Sequence, residues 1–415
     1  MKSWLGSEPA SSWIPRLSPR AWFVLGGDAV SALGSGLTLP FLLVYLHQVR
    51  GINLGVAGLM LSTVALAGLV GNPAGGWLAD RIGARRAVIA GLAVAAAGAG
   101  AIALVHATWH GFAATFLYGM GMAALLPAQD ALLATTVDAA QRPQVFAVRH
   151  ATLNVGLSVG TVLGALIVSF QTPSTFVLVF VLDAASFVAF ALVLGRLRDV
   201  QSDAAEPSFA EGSYRHVLRD RVFLRMWVLV FLLVMAGYAQ YHAAFPAYAT
   251  EVGGLSPRGL GLAFAANMVT VVVAQLVVLR MMTGRRRTRG IALAAAFMAA
   301  AWAMTLFAGS RGALPLFVAA MVLFGIGETL VSPTVPAIVN DLAPDSLRGR
   351  YNGAYALAWT VGYVGGPGVA GLVIAAGHGH GLFAVLIATL GVVALLAWSV
   401  GRRLPLKANL IDATS

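Results

Sequence analysis

Four acidic residues stand inside long apolar runs of this 415-residue chain: Asp28, Asp130, Asp183 and Glu328. Removing a carboxylate from water costs several kcal/mol in general. A chain retains such a group where it faces a cavity, pairs with an opposite charge, or holds a proton. Burial disfavours a charged carboxyl and a nearby cation favours it, so one carboxyl can exchange a proton for a cationic ligand. Asp28, among Gly26, Gly27 and Gly34, and Glu328, beside Gly325 and Gly327, are the candidates for that exchange. Asp130 has Arg149 and His150 at comparable depth in the next run, and a bridge from Asp130 to Arg149 would satisfy two costly charges together. Asp183, beside Ser186, reads as a packing residue.

Aromatic side chains supply a second kind of chemistry, since their faces attract lipophilic cations. Tyr238, Gln240, Tyr241 and His242 form one polar-aromatic run. On a helix Tyr238 and His242 share a face, as do Tyr241 and Phe245. Tyr355, Trp359 and Tyr363, spaced by four, form a stripe that reads first as packing. Tyr238, Tyr241, His242, Asn154, Trp359 and Tyr363 are the candidates for lining a cavity. No phosphate-cradling Gly-Lys-Ser/Thr loop and no nucleophile constellation is present. With no cysteine, thiolate metal sites and disulfides are excluded; His378 and His380 alone make no metal site. The chain reads as neither an enzyme nor a cofactor protein.

The elements that position these residues must be membrane helices. Hydrophobic residues make up 59% of the chain and charged residues 10%, against about a quarter charged in a soluble domain. Spans of roughly 20 apolar residues are expected at 21–46, 54–78, 87–106, 111–136, 146–170, 174–195, 222–248, 258–280, 290–309, 313–338, 351–376 and 381–401. Of the 27 Lys and Arg residues, all but Arg50, Arg258 and Arg311 fall on one side if the N-terminus is cytoplasmic. That asymmetry accounts for the net charge of +11 without nucleic acid. The segment before Ala21, with Pro9, Pro15 and Pro19, lacks the apolar core of a cleavable signal peptide. The chain divides into a tail (1–20), a six-helix bundle (21–195), a polar linker (196–221), a second six-helix bundle (222–401) and a second cytoplasmic tail (402–415). An amphipathic helix over 208–219 is expected to lie on the inner surface.

The halves look like copies. A shift of 206 positions superposes Pro40 on Pro246, Gly55 on Gly261, Gly119 on Gly325, Gly121 on Gly327, Pro127 on Pro333, Arg142 on Arg348, Gly156 on Gly362 and Gly160 on Gly366. Six spans per half make the repeat parallel, with a central cavity expected between the halves.

After the second span the chain reads Gly75-Gly76-Trp77-Leu78-Ala79-Asp80-Arg81-Ile82-Gly83-Ala84-Arg85-Arg86. This resembles the signature loop of the major facilitator superfamily, with Ala84 where a basic residue is usual. In the second half only positive charge remains, Arg286 standing at the position of the aspartate. The resemblance covers nearly the whole chain and is nearest to the twelve-helix drug:proton antiporters. It departs in lacking an arginine in the fourth helix, which has Gln129 and Asp130, and a Gly-Pro in the fifth. It implies an all-α fold of two pseudo-symmetric bundles and a gate at Gly76, Asp80, Arg81, Gly83 and Arg85. Gly76 would let a helix end approach a neighbour closely and Gly83 would permit a sharp turn; Asp80 would bond a neighbouring helix N-terminus, and Arg81 and Arg85 would bridge to acids on the inner face. It further implies a monomer in the inner (cytoplasmic) membrane that exchanges protons for small hydrophobic or cationic compounds, with Asp28, Glu328, Asp130 and Arg149 as coupling or substrate residues and with Asp28 on helix 1 and Glu328 on helix 10 lining the central cavity. A carrier of one specific metabolite, sugar or lipid, and a non-transporting sensor or scaffold, are the alternatives.

Overall fold

Apolar stretches of this length can cross a bilayer only with every backbone polar group bonded internally, which makes them helices. The computed structural model describes residues 17–138, 141–196, 214–344 and 347–411, and within them twelve helices are long and apolar enough to span. They are α1 Pro19–Val49, α2 Leu54–Ile82, α3 Ala84–Ala103, α4 Thr108–Ala134, α5 Arg142–Ile167 and α6 Ser174–Arg196. The second set is α7 Arg221–Glu251, α8 Pro257–Met282, α9 Arg287–Gly309, α10 Leu314–Leu342, α11 Arg348–Ala375 and α12 Gly379–Gly401. The expected tails 1–16 and 412–415 and most of the linker lie outside the described residues. Of the expected linker helix, Tyr214–Arg219 is described as helical. Its Val217 is buried with Phe223, Val339 and Tyr351 of the second half.

Polar residues fix where helices begin. Ser18, Asn53 and Asp220 accept backbone N–H bonds at the starts of α1, α2 and α7, as N-caps should. The helices assemble in two groups. In the first, α1 packs on α5 and α6, α4 on α2 and α3, and α3 on α6; in the second, α9 packs on α10 and α12, α8 on α10, and α7 on α11 and α12.

The 206-residue shift is reproduced in the packing. A methyl at Gly160 would stand 2.0 Å from the Leu33 carbonyl oxygen, and one at Gly366 would stand 2.4 Å from Ala239, the counterpart of Leu33. Gly121 presses on Ala95 of α3 and Gly327 on Ala294 of α9. These small residues let helices approach backbone to backbone, which drives association where lipid supplies no hydrophobic force. The paired prolines mark breaks: Pro40 lies in a 3₁₀ turn of α1 (Leu39–Phe41), and Pro246 follows the interruption of α7 at His242 and Ala243. Each of these helices also carries a widened π turn, Tyr45–Val49 in α1 and Val234–Tyr238 in α7. The loosened Ala236 carbonyl accepts the Trp302 indole N–H at 2.7 Å.

Both described chain ends lie on one side of the helix array, here the termini side. On the far side the halves are joined. Gln48 Nε2 donates to Glu251 Oε1 at 2.6 Å, and the Gly368 N–H donates to Ser62 Oγ at 3.0 Å. Between these, α2 and α11 meet through glycines, and a methyl at Gly58 would stand 2.5 Å from the Pro367 carbonyl oxygen. The far side is closed.

Candidate functional site

Two clusters contain most of the sequence candidates, one in each half. The first is built on a single guanidinium. Arg149 of α5, 8% exposed at its side chain, donates from Nε to Asp28 Oδ2 at 2.8 Å and from Nη1 to Asp130 Oδ1 at 2.6 Å. Its Nη2 donates to Gln129 Oε1 at 2.7 Å. The expected Asp130–Arg149 bridge is present, and Asp28 belongs to the same network, a link the sequence reading missed. Asp28 thus points into the first bundle, between α1 and α5, instead of lining the central cavity as its place on helix 1 suggests. Its side chain is fully buried while that of Asp130 is 52% exposed, so the network runs from solvent into the bundle. Arg149 suits the task because its planar fork serves several acceptors and stays charged.

The second cluster surrounds Glu328 of α10. Its carboxyl lies beside Asn267 of α8 and within electrostatic reach of Tyr238, Tyr241 and Tyr363. Among the described residues no cation pairs with it. Aromatic rings form the walls. Tyr238 lies 4.9 Å from Trp359 between centroids, Tyr241 is stacked on Phe324 at 5.3 Å, and Trp359 is 6.2 Å from Tyr363. The stripe of α11 is therefore both packing and wall. The break of α7 at His242 turns Tyr241 towards Phe264 and Phe324. Trp359 Nε1, Tyr241 Oη, His242 Nδ1 and Asn267 Oδ1 are buried without a hydrogen-bond partner. Buried polar groups are seldom left so, and of these four residues His242 and Trp359 also border the cavity between the halves.

Between the halves lies a cavity of about 440 Å³, lined from the first by Leu39, Leu61, Asn72 and Met122 and from the second by His242, Trp359, Tyr363 and Pro367. Its volume is in the range of small-molecule pockets. Asn154 does not line it. It is exposed on α5 and bonds the His150 carbonyl one turn back at 2.9 Å.

The gate motif requires three corrections. Helix α2 runs through Asp80 and Arg81 to Ile82, so the connection to α3 is the single residue Gly83, whose φ of +89° only glycine adopts freely. The close approach belongs to Gly75, not Gly76. A methyl at Gly75 would stand 2.1 Å from the Ala124 carbonyl oxygen, whereas one at Gly76 meets nothing nearer than Pro127 at 4.0 Å. Arg85 donates to the Leu194 and Gly195 carbonyls at the end of α6, and Arg81 stacks on Trp77 at 5.1 Å. A basic residue at a helix C-terminus meets unpaired carbonyls and the negative end of the dipole. Asp80 is exposed and makes no bond to a described residue.

The fourth acid, Asp183 of α6, is fully buried in the first bundle. Its Oδ2 accepts from Thr38 Oγ1 at 2.9 Å and from Tyr118 Oη at 3.2 Å. No metal-holding group of His, Cys, Asp and Glu occurs among the described residues.

The family model described as Major Facilitator Superfamily matches this chain over residues 24–300 and 243–414. The multidrug resistance protein MdtH of Aeromonas hydrophila is 25% identical over 83% of this chain and 86% of its own length. A Na(+), Li(+), K(+)/H(+) antiporter of Planococcus maritimus is 25% identical over 80% of this chain and 84% of its own. In fold, the crystal structure of the nucleoside transporter NupG is similar, with a TM-score of 0.76, 11% identity, and coverage of 92% of this chain and 99% of that one.

Proposed function

Because the chain belongs to the Major Facilitator Superfamily and is a multi-pass membrane transporter rather than an enzyme, we propose that it is a proton-coupled exporter of small hydrophobic or cationic compounds in the cytoplasmic membrane. The termini face the cytoplasm in this reading, as the arginine distribution favours, and the closed far side makes this the inward-facing state. Cargo enters from the cytoplasmic side and settles against Trp359, Tyr363 and His242, with Glu328 behind them as the negative charge a cation seeks. Rocking of the halves about this chamber opens the far side.

The observation that carries the reading is the division of charge. Glu328 has an aromatic enclosure and no cationic partner among the described residues, whereas Asp28 is held by Arg149 in a network that reaches solvent at Asp130. A proton on Asp28 cancels the charge holding Arg149 Nε and frees the guanidinium to reorganise, so proton uptake changes how α1 and α5 are tied. The names of MdtH and of the Planococcus antiporter support drug export and proton exchange respectively. The test is transport in proteoliposomes with an imposed pH gradient, using tetraphenylphosphonium, ethidium and a panel of sugars, nucleosides and lipids. Gradient-driven accumulation of the cations supports the proposal. Saturable transport of one metabolite class with indifference to the cations would replace it with a specific carrier.

A further inference from the structure

One polar face of α1 runs through the first bundle. Asp28, Ser31, Ser35 and Thr38 follow one another at helical spacing of three or four, so they lie on one side about a turn, roughly 5 Å, apart. All four are buried, at 1%, 7%, 1% and 1% exposure. The face begins at the Arg149 network and ends at Asp183, which accepts from Thr38 Oγ1 at 2.9 Å. Tyr118 Oη lies between Asp183 Oδ2, at 3.2 Å, and Ser35 Oγ, at 3.5 Å. Three atoms along this line have no partner: Asp28 Oδ1, Ser31 Oγ and Asp183 Oδ1. Unpartnered polar atoms along a buried polar seam are what single buried waters satisfy.

Asp183 differs from Asp28 in its surroundings. From α1 it meets Thr38 and Ser35, from α4 Tyr118, and on its own helix Ser186, whose hydroxyl bonds the Asp183 carbonyl at 2.7 Å. The described residues that α3 buries are all apolar. From α5, Arg149 is committed to Asp28 and Thr161 to the Gly36 carbonyl. No charged group among the described residues acts on Asp183. A carboxylate so placed lacks the countercharge that buried ions require, and a carboxyl holding a proton needs none.

We propose that Asp183 is a second proton-holding carboxyl of this transporter, loaded from Asp28 along the Ser31–Ser35–Thr38 face of α1. A proton leaves the Asp28 carboxyl and each hydroxyl or water on the line accepts one and passes on its own. The last is delivered to the Asp183 carboxylate, so that one proton moves and no other bond changes. The inference rests on the proton-coupled reading but is read out independently of cargo.

The experiment is difference infrared spectroscopy of the purified full chain between acid and alkaline buffers, in H₂O and D₂O, without cargo. Wild type should show a protonated-carboxyl stretching band that titrates and is lost in Asp183→Asn. In Ser31→Ala the band should persist while its deuterium exchange slows roughly tenfold; this second variant keeps the test decisive should Asp183→Asn fail to fold. A titrating band unchanged by Asp183→Asn, no titrating band at all, or wild-type exchange in Ser31→Ala would overturn the proposal. Loss of the band on adding Na⁺ or Li⁺ at constant pH would overturn it too, by making Asp183 a metal-ion ligand. Proton-driven export that survives alongside any of these results would leave the transport reading standing and remove only the relay.

Discussion

The two halves share one scaffold and carry different chemistry. The 206-residue shift that superposes their glycines and prolines carries Asp28 onto Val234, Asp130 onto Pro336, Arg149 onto Tyr355 and Asp183 onto Thr389. Applied in reverse, it carries Glu328 onto Met122. Each of these four acids has a partner in the repeat that is not an acid. In the first half the acids are tied, two by Arg149 and one by hydroxyls. In the second, Glu328 is left to aromatic rings and one amide. The symmetric glycines are those where helices touch, because a side chain there would collide. The asymmetric positions are those where a charge can be used. Met122 lines the cavity together with His242, Trp359 and Tyr363, so the position related to Glu328 faces the shared chamber with a thioether, while Glu328 itself lies behind the aromatic wall.

The sharpest way to break this comparison is to remove the tie in the first half. Arg149→Ala leaves Asp28 buried without its countercharge, and breaking a buried pair this way costs about 3–5 kcal/mol. Thermal unfolding in detergent should show that loss, and Asp28→Asn combined with Arg149→Gln should recover most of it. If Asp28→Asn fails to rescue, the network is not what holds α1 to α5. Glu328→Gln should do the opposite, leaving stability near wild type while binding of tetraphenylphosphonium weakens on the order of tenfold, about 1.4 kcal/mol. A neutral dye should be less affected, and equal loss for both would remove Glu328 as the cargo charge.

Smaller effects separate scaffold from gate. Gly75→Val meets the Ala124 backbone and should destabilise the first bundle by about 1–3 kcal/mol, whereas Gly76→Ala should be silent in the same unfolding assay. Asp80→Asn, at an exposed position without a bond to any described residue, should change stability by less than about 0.5 kcal/mol. It should nevertheless slow exchange between inward- and outward-facing states, followed by paired distance probes on the termini side. Unaltered exchange would make this segment a topology signal only.

The span positions and the repeat were legible because they rest on signals every membrane helix must give, length, apolarity and the residues that permit contact. The Asp130–Arg149 pair was legible because two costly charges at one depth need each other. What stayed hidden depended on rotation about helix axes. Asp28 was assigned to the cavity because its helix borders it, yet its side of α1 faces α5, and the Ser31–Ser35–Thr38 spacing was the available sign of a buried polar face. Asp183 read as packing because its hydroxyl partners come from α1 and α4, distant in sequence. The extension of α2 beyond residue 78 to Ile82 was obscured by the charged Asp80 and Arg81, which read as loop residues and lie in the last turn of the helix.

The central claim is that proton and cargo are handled by different halves. It is tested most directly by measuring, in weakly buffered detergent solution, the protons released when tetraphenylphosphonium binds. The account predicts release from wild type, cargo binding without release from Asp28→Asn, and weakened binding from Glu328→Gln with release restored at saturating cargo. Wild-type release from Asp28→Asn, with loss of release only in Glu328→Gln at saturation, would place both tasks on one carboxyl and contradict it.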